Sequence, residues 1–118
     1  MKPMYALLAL VLATLIPGVS TSAPRTFEIL GAGASSCGTW TQDRHDNQWG
    51  EDLEWVLGFM SAYNDYASAD HQMTKGTDSA GVAAWMDNYC QAHPLDTIAD
   101  GTPPLIHVLE KRSARSKP

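Results

Sequence analysis

The sequence predicts an all-α fold, a small orthogonal bundle of four to five short helices clamped by one disulfide. Apolar residues recur at helical spacing from Leu53 onward, and no strand-like alternation of useful length occurs. The chain has 2 cysteines, Cys37 and Cys90, and both follow an N-terminal export signal. Thiols of an exported chain meet an oxidising compartment, so we expect these two to be bonded to each other.

The export signal is predicted over residues 1–23. A basic residue precedes the uncharged apolar run Met4–Ile16, and small residues follow it, which is the order typical of a secretory signal peptide. The run is shorter than the ~20 residues with which a helix crosses a bilayer, so we expect removal rather than anchoring. Pro24 disfavours processing directly before it, and we place cleavage between Ser20 and Arg25.

The part that remains is long enough for one domain with one modest core. The chain carries 13 acidic residues against 8 Lys and Arg, for a net charge of −5. Such acidity argues against nucleic acid or an anionic membrane surface as a partner. We therefore expect a protein in a periplasm or outside the cell, with no stable membrane insertion after signal removal.

Composition divides this remainder into three parts. Residues 24–36 are predicted to be a flexible lead-in, because Gly31–Ser36 holds only Gly, Ala and Ser. Residues 37–111 are the predicted helical domain, which begins with a short helical turn over Cys37–Gln42 and a polar loop. Residues 112–118 form a basic tail that we expect to be disordered.

The first long helix is predicted from Gly50 or Glu51 to Ala67, with acidic residues in its first turn, where the helix dipole favours them. It is apolar on more than one side, so it either lies at the centre of the fold or leaves one face for a partner. Gly58 is unfavourable in a helix interior, which predicts a close approach of another backbone there.

The next helix is predicted over Ser79–His93, with Thr77 or Asp78 as its cap. One broad apolar face of this helix includes Cys90, which can therefore reach Cys37 from the core side. The last segment, 94–111, is predicted to be interrupted at Gly101–Pro104.

At that interruption, Thr102 is expected to cap a new helix and Pro103 to begin it. The final helix would then continue through Leu109.

No residue pattern predicts catalysis, a metal site or a cofactor. The 4 histidines form no helical pair at ligand spacing, and HExxH, CxxC and GxSxG patterns do not occur. Cys90 and His93 lie one helical turn apart, as a thiolate and its base would, but a bonded Cys90 cannot act as a nucleophile. Asp43–Asp46 could bind a cation, although a solvated loop is the simpler interpretation. We expect a protein that is not an enzyme.

Three parts of the chain carry a family resemblance: Cys37, Trp55–Asn64 and Trp85–Pro94. From Cys37 to Leu109 the chain resembles two families of small exported helical proteins. These are the HdeA/HdeB-type periplasmic acid-stress chaperones and the Rap/Tai-type immunity proteins of type VI secretion amidase effectors. Both show an early cysteine, a central helix with a Gly-aromatic step and a later helix ending near His-Pro or Asn-Pro. The Gly101–Pro104 breaker and a long polar insertion before the central helix depart from both.

The resemblance to the chaperones implies a protein that opens in acid and exposes apolar surface to unfolding clients. Below about pH 4 the carboxylates would neutralise while the histidines are charged, so self-repulsion would loosen a fold that the disulfide still holds together. The basic tail would keep the opened chain soluble. We favour this interpretation of the two, because of the two-cysteine layout and that tail.

The resemblance to the immunity proteins implies a preformed surface that caps the active site of a toxin. Aromatic anchors ringed by charge are typical of tight interfaces. The candidate partner-binding residues are accordingly aromatic or acidic: Trp40, Trp49, Trp55, Phe59, Tyr66, Glu51 and Asp52. In either case the partner is another protein, an acid-unfolded client or a toxin. A homodimer and a purely structural role are the remaining alternatives, and the acidic stretch Asp43–Glu54 can also be a solvated helix start.

Overall fold

A computed structural model describes residues 27–117, and the signal peptide predicted over residues 1–23 lies outside them. The described residues contain a short 3₁₀ helix and four α-helices: Gly31–Ala34, α1 (Cys37–Asp46), α2 (Gly50–Tyr66), α3 (Ser79–Ala92) and α4 (Ile98–Arg115). Between residues 27 and 117 the extended backbone pairs only at an isolated bridge between Ser36 and Thr97. The predicted all-α fold is confirmed. None of the helices in this range combines the length and hydropathy that crossing a membrane requires.

The disulfide between Cys37 and Cys90 is formed, as predicted, and joins the start of α1 to the end of α3 with 4.7 Å between the Cα atoms. Backbone hydrogen bonds bring the start of α4 to the same place. The Cys37 amide donates to the Asp96 carbonyl at 2.7 Å, and the Ile98 amide donates to the Ser35 carbonyl at 2.9 Å. Three helix termini therefore meet at the disulfide.

One core fills the space between the helices. Trp40 of α1, Val56 of α2, Met86 of α3 and Ile98 of α4 are fully buried. The cluster also includes Leu53, Met60, Met73, Val82, Ala83, Leu105, Ile106 and Leu109. Since every α-helix contributes to this cluster, hydrophobic burial couples all four of them.

The long helices α2 and α3 begin where they were predicted and end one residue earlier, whereas α1 is longer than predicted. The Ser36 hydroxyl accepts a hydrogen bond from the Thr39 amide, and Asn47 follows the last residue of α1 in the left-handed conformation. Asparagine is one of the few residues that adopt this conformation readily. The helix buries only Cys37 and Trp40, so its sequence carries little periodicity from which its length could have been predicted.

The predicted break at Gly101–Pro104 is wrong, because α4 runs through it without interruption. The helix starts upstream, where Thr97 and Asp100 form a reciprocal capping box. Gly101 packs closely against α3, since a Cβ there would lie 2.9 Å from both Met86 and Tyr89. The buried Thr102 does not cap a new helix, and its hydroxyl donates to the Ile98 carbonyl at 3.1 Å.

Both predicted flexible segments are partly ordered. The tail predicted to be disordered from residue 112 is helical to Arg115. The Arg112 guanidinium also donates to the Lys75 carbonyl at 3.2 Å. In the predicted lead-in, the 3₁₀ helix places Gly33 against the Trp55 ring, where a Cβ would overlap it. The close backbone approach predicted for Gly58 is absent, because nothing lies within 4 Å of a Cβ built there.

Candidate functional site

An apolar groove opens between α2, the start of α4 and the segment that precedes α1. Its volume is about 410 Å³, and it is lined by Phe27, Glu28, Ile29, Leu30, Trp55, Phe59, Ala99, Asp100 and Pro103. A second cavity of about 280 Å³ shares Phe59 and Pro103 with it and adds Tyr63, Ile106, His107 and Glu110. The two cavities thus adjoin, and we refer to them together as the α2–α4 groove.

The aromatic wall of the groove is held in place by specific contacts. The Trp55 indole N–H donates to the Leu30 carbonyl at 2.7 Å. The Trp55 and Phe59 rings stack with 5.6 Å between their centroids. Gly33 packs against the six-membered part of the Trp55 indole, at a distance that only glycine allows. Because the indole N–H is satisfied and the ring is packed, the wall is formed before any partner arrives.

Large apolar side chains around this groove are exposed to solvent. Phe27 is 77% exposed, Leu30 75% and Phe59 39%. Single exposed apolar residues are ordinary on protein surfaces, but a contiguous set that lines a concavity is typical of an interaction site. Tyr66, Leu95 and Val108 are also exposed, but they do not line the groove.

The polar groups of the groove are mostly acidic. Glu28, Asp100 and Glu110 line it, and its lining contains no Lys or Arg. Hydrogen bonds from the Thr97 backbone and side chain lower the pKa of Asp100. Glu110 accepts a hydrogen bond from the Tyr63 hydroxyl at 2.9 Å, and this bond raises the pKa of Tyr63. At neutral pH the groove therefore carries negative charge beside its apolar walls.

A polar cleft of about 590 Å³ lies on the other side of the core, between α1 and α3. There Arg44 donates to both carboxylate oxygens of Asp87, at 2.9 and 2.8 Å, and the Trp40 indole donates to the same group at 2.8 Å. Burial alone would raise the pKa of Asp87, but the hydrogen bonds from Arg44 and Trp40 outweigh it and lower the pKa. The Arg44 guanidinium also lies 4.3 Å from the centre of the Trp49 ring. These contacts tie α1 to α3 and leave the charge in this cleft balanced.

Two carboxyl groups meet at the junction of α1 and α2. Asp52 is buried, and its Oδ2 atom finds no hydrogen-bond partner among the described residues. Burial raises the pKa of Asp52 to about 6, and a hydrogen bond and repulsion from Asp43, with a further repulsion from Glu51, act in the same direction. The folded protein therefore binds a proton at Asp52 at a higher pH than the unfolded chain does, below about pH 6.

The partner-binding residues predicted from the sequence do not form one surface. Trp55 and Phe59 come together in the groove. Trp40 and Asp52 are buried, so their prediction as contact residues on the folded surface is corrected. The other three lie outside the groove: Trp49 is covered by Arg44, and Glu51 and Tyr66 are exposed elsewhere on α2.

The structure adds groove residues that the sequence did not identify. Phe27 and Leu30 lie in the predicted lead-in, Asp100 directly precedes the predicted helix break, and Pro103 lies within it. Their chemical types were visible in the sequence, but their meeting with α2 depends on long-range packing. Among residues 27–117 no group of three His, Cys, Asp or Glu side chains is arranged to hold a metal ion.

Comparison of the chain with protein-family models, with curated proteins and with solved structures gives no match.

Proposed function

We propose that this chain is a small exported protein-binding protein, without catalytic activity, whose partner occupies the α2–α4 groove. The observation that carries the proposal is the ordered apolar concavity with Phe27, Leu30 and Phe59 exposed along it. Burying such surface against a partner is favourable by roughly 25 cal/mol per Å² of apolar area. Export to a periplasm or to the outside of the cell is supported by the disulfide, because such bonds persist in oxidising compartments.

The experiment that tests this proposal uses the oxidised protein without its signal and a permanently unfolded client, such as a reduced and alkylated protein. Phe59→Ala removes a groove side chain, and Leu95→Ala removes an exposed apolar side chain outside the groove. We expect Phe59→Ala to weaken client binding measured by calorimetry and Leu95→Ala to leave it unchanged. Equal binding by both variants and the wild type would exclude the groove as the site.

Two modes of action are consistent with such a groove. In the first, the folded protein binds one specific partner, as an immunity protein caps its toxin, and the preformed aromatic wall supports this mode. A second copy of this chain is the alternative occupant. Sedimentation at increasing protein concentration distinguishes the two, because a homodimer that occupies the groove is dissociated by Phe59→Ala.

In the second mode the protein opens in acid and acts as a chaperone. The supporting observation is that carboxylates with lowered pKa hold the fold together: Asp87 joins α1 to α3, Asp70 binds Lys117, and Asp100 caps the start of its own helix, α4. Protonation of these groups well below pH 4 removes the stability they contribute. Near-UV circular dichroism during acid titration, with suppression of client aggregation, tests this mode. Loss of tertiary signal with client protection supports it, and a fold that stays rigid without protection excludes it.

A further inference from the structure

We propose that the partner segment bound in the α2–α4 groove is basic and amphipathic. This inference rests on the proposed function and adds the chemistry of the partner. Apolar side chains of the segment would pack against Trp55, Phe59 and Pro103, and its Lys or Arg side chains would lie along the acidic border of the groove.

The charge of the groove favours a basic partner. Glu28, Asp100 and Glu110 all line the groove, and within residues 27–117 none of the three forms an ion pair with Lys or Arg. The cleft between α1 and α3 differs, because its carboxylate, Asp87, is already paired with Arg44. Of these two sites, only the groove therefore offers a cation of the partner carboxylates that are not already paired. Complementary charge of this kind steers association.

Hydrogen-bond acceptors at the start of α4 also favour a basic partner. Pro103 and Pro104 lie inside α4 and have no amide hydrogen. The carbonyls of Ala99 and Asp100 consequently lack the donor that residue i+4 supplies in an α-helix. Both residues line the groove. Lys and Arg side chains carry only donors, so they match a helix segment whose carbonyls lack this amide donor and whose Asp100 carboxylate lines the groove.

The experiment compares three synthetic probes on the oxidised protein without its signal. One is an amphipathic helical peptide of Leu and Lys, one is its Leu and Glu counterpart with the same apolar pattern, and one replaces Leu by Ser and keeps Lys. Calorimetry at low and moderate salt gives the affinities. We expect binding of the Leu–Lys peptide only, since the groove demands apolar side chains and positive charge together.

A matched pair of double variants distinguishes the contribution of the groove carboxylates to binding from that of the net negative charge. Glu28→Gln with Glu110→Gln neutralises the groove, and the amide oxygen introduced by Glu110→Gln can still accept from the Tyr63 hydroxyl. Glu54→Gln with Asp65→Asn removes the same charge from exposed positions of α2 outside the groove. We expect the first pair to weaken Leu–Lys binding by roughly fivefold to tenfold, as for two exposed ion pairs, and the second pair to leave it near the wild-type value.

Each outcome decides between the inference and the proposed function. If the Leu–Glu peptide binds as tightly as the Leu–Lys peptide and Phe59→Ala weakens both, the groove is a binding site but its preference for basic segments is wrong. If both double variants weaken binding equally, the attraction is to net charge and the inference is overturned. If neither peptide binds but Phe59→Ala still weakens binding of the unfolded client, the inference fails and the proposed function stands.

Discussion

The disulfide-clamped side and the groove side of the molecule are built differently. On the clamped side, where α1, the end of α3 and the start of α4 meet, Cys37, Cys90 and Ile98 are at most 1% exposed. Backbone hydrogen bonds and a covalent bond cross that junction. On the groove side, Phe27 and Leu30 leave about three quarters of their surface in solvent.

This difference indicates that the clamped side mainly stabilises the fold and that the groove side is available to bind a partner. Side chains of the clamped side have little apolar surface left to offer a partner, and their burial contributes to the free energy of folding instead. The groove side leaves apolar area uncovered, and its wall is fixed by Trp55, which contacts Leu30 and Gly33. A rigid wall lowers the entropy lost on binding. The order at Trp55 therefore favours binding of a partner.

The largest expected effect comes from removing the clamp. Cys37→Ser with Cys90→Ser opens a loop of 53 positions, and the loop-entropy account assigns a closure of this length about 4 kcal/mol. Total stabilities of small domains are only about 5–15 kcal/mol. We expect a poorly folded protein, measured by thermal unfolding with circular dichroism. A variant that keeps the melting temperature of the oxidised wild type would show that core packing alone holds the clamped side.

The second-largest expected effect is a change of folding stability with pH that is caused by Asp52. Its pKa is raised to about 6 in the folded protein, so the folded state takes up a proton between pH 6 and 4 that the unfolded state does not. Stability therefore rises as the pH falls through this window, by at most about 3 kcal/mol. We expect the denaturation midpoint of the wild type to be higher at pH 5 than at pH 7, and Asp52→Asn to flatten this rise.

The carboxylates with lowered pKa predict the opposite slope at lower pH. Asp46, Asp70, Asp87 and Asp100 contribute stability above their ordinary pKa and lose it as the pH falls further. The two slopes together place the stability maximum on the acid side of neutral pH. Acid opening, as in the chaperone mode, would thus begin only below that maximum. A wild-type midpoint that falls steadily from pH 7 to pH 5 would contradict the role of Asp52.

Much of the fold could be predicted because its signals are local. The bounds of α2 and α3 followed from apolar periodicity and from a cap at Asp78. The error at Gly101–Pro104 arose where local and long-range effects compete. Prolines argue for a break, but the upstream capping box and the packing of Gly101 on Met86 and Tyr89 keep the helix continuous.

The candidate site was less predictable, since it depends on which exposed-looking residues are covered by distant parts of the chain. Trp40 is buried because it packs in the core and donates to Asp87, 47 positions away. Trp55 is half-buried and Phe59 is exposed, because the segment around Leu30 and the start of α4 cover them only in part. No pattern within either helix distinguishes these tryptophans.

The third prediction concerns Gly33, which packs against the Trp55 wall of the groove. A Cβ at Gly33 would overlap the Trp55 ring, so Gly33→Ala must shift the ring or the 3₁₀ helix. Overpacking of this kind costs about 1–3 kcal/mol. We expect a lower urea midpoint together with weaker binding of the unfolded client, because Trp55 lines the groove.

The matched control is the same substitution on α2 itself. Gly58 has nothing within 4 Å of a built Cβ and lies in the helix interior, so Gly58→Ala should stabilise the protein by up to about 1 kcal/mol. Opposite signs for one chemical change show that Gly33 is required by the Trp55 contact, whereas Gly58 is a helical defect that no neighbour requires. If Gly33→Ala also stabilised the protein, the 3₁₀ helix would be free to move away from Trp55, and the groove wall could not be preformed.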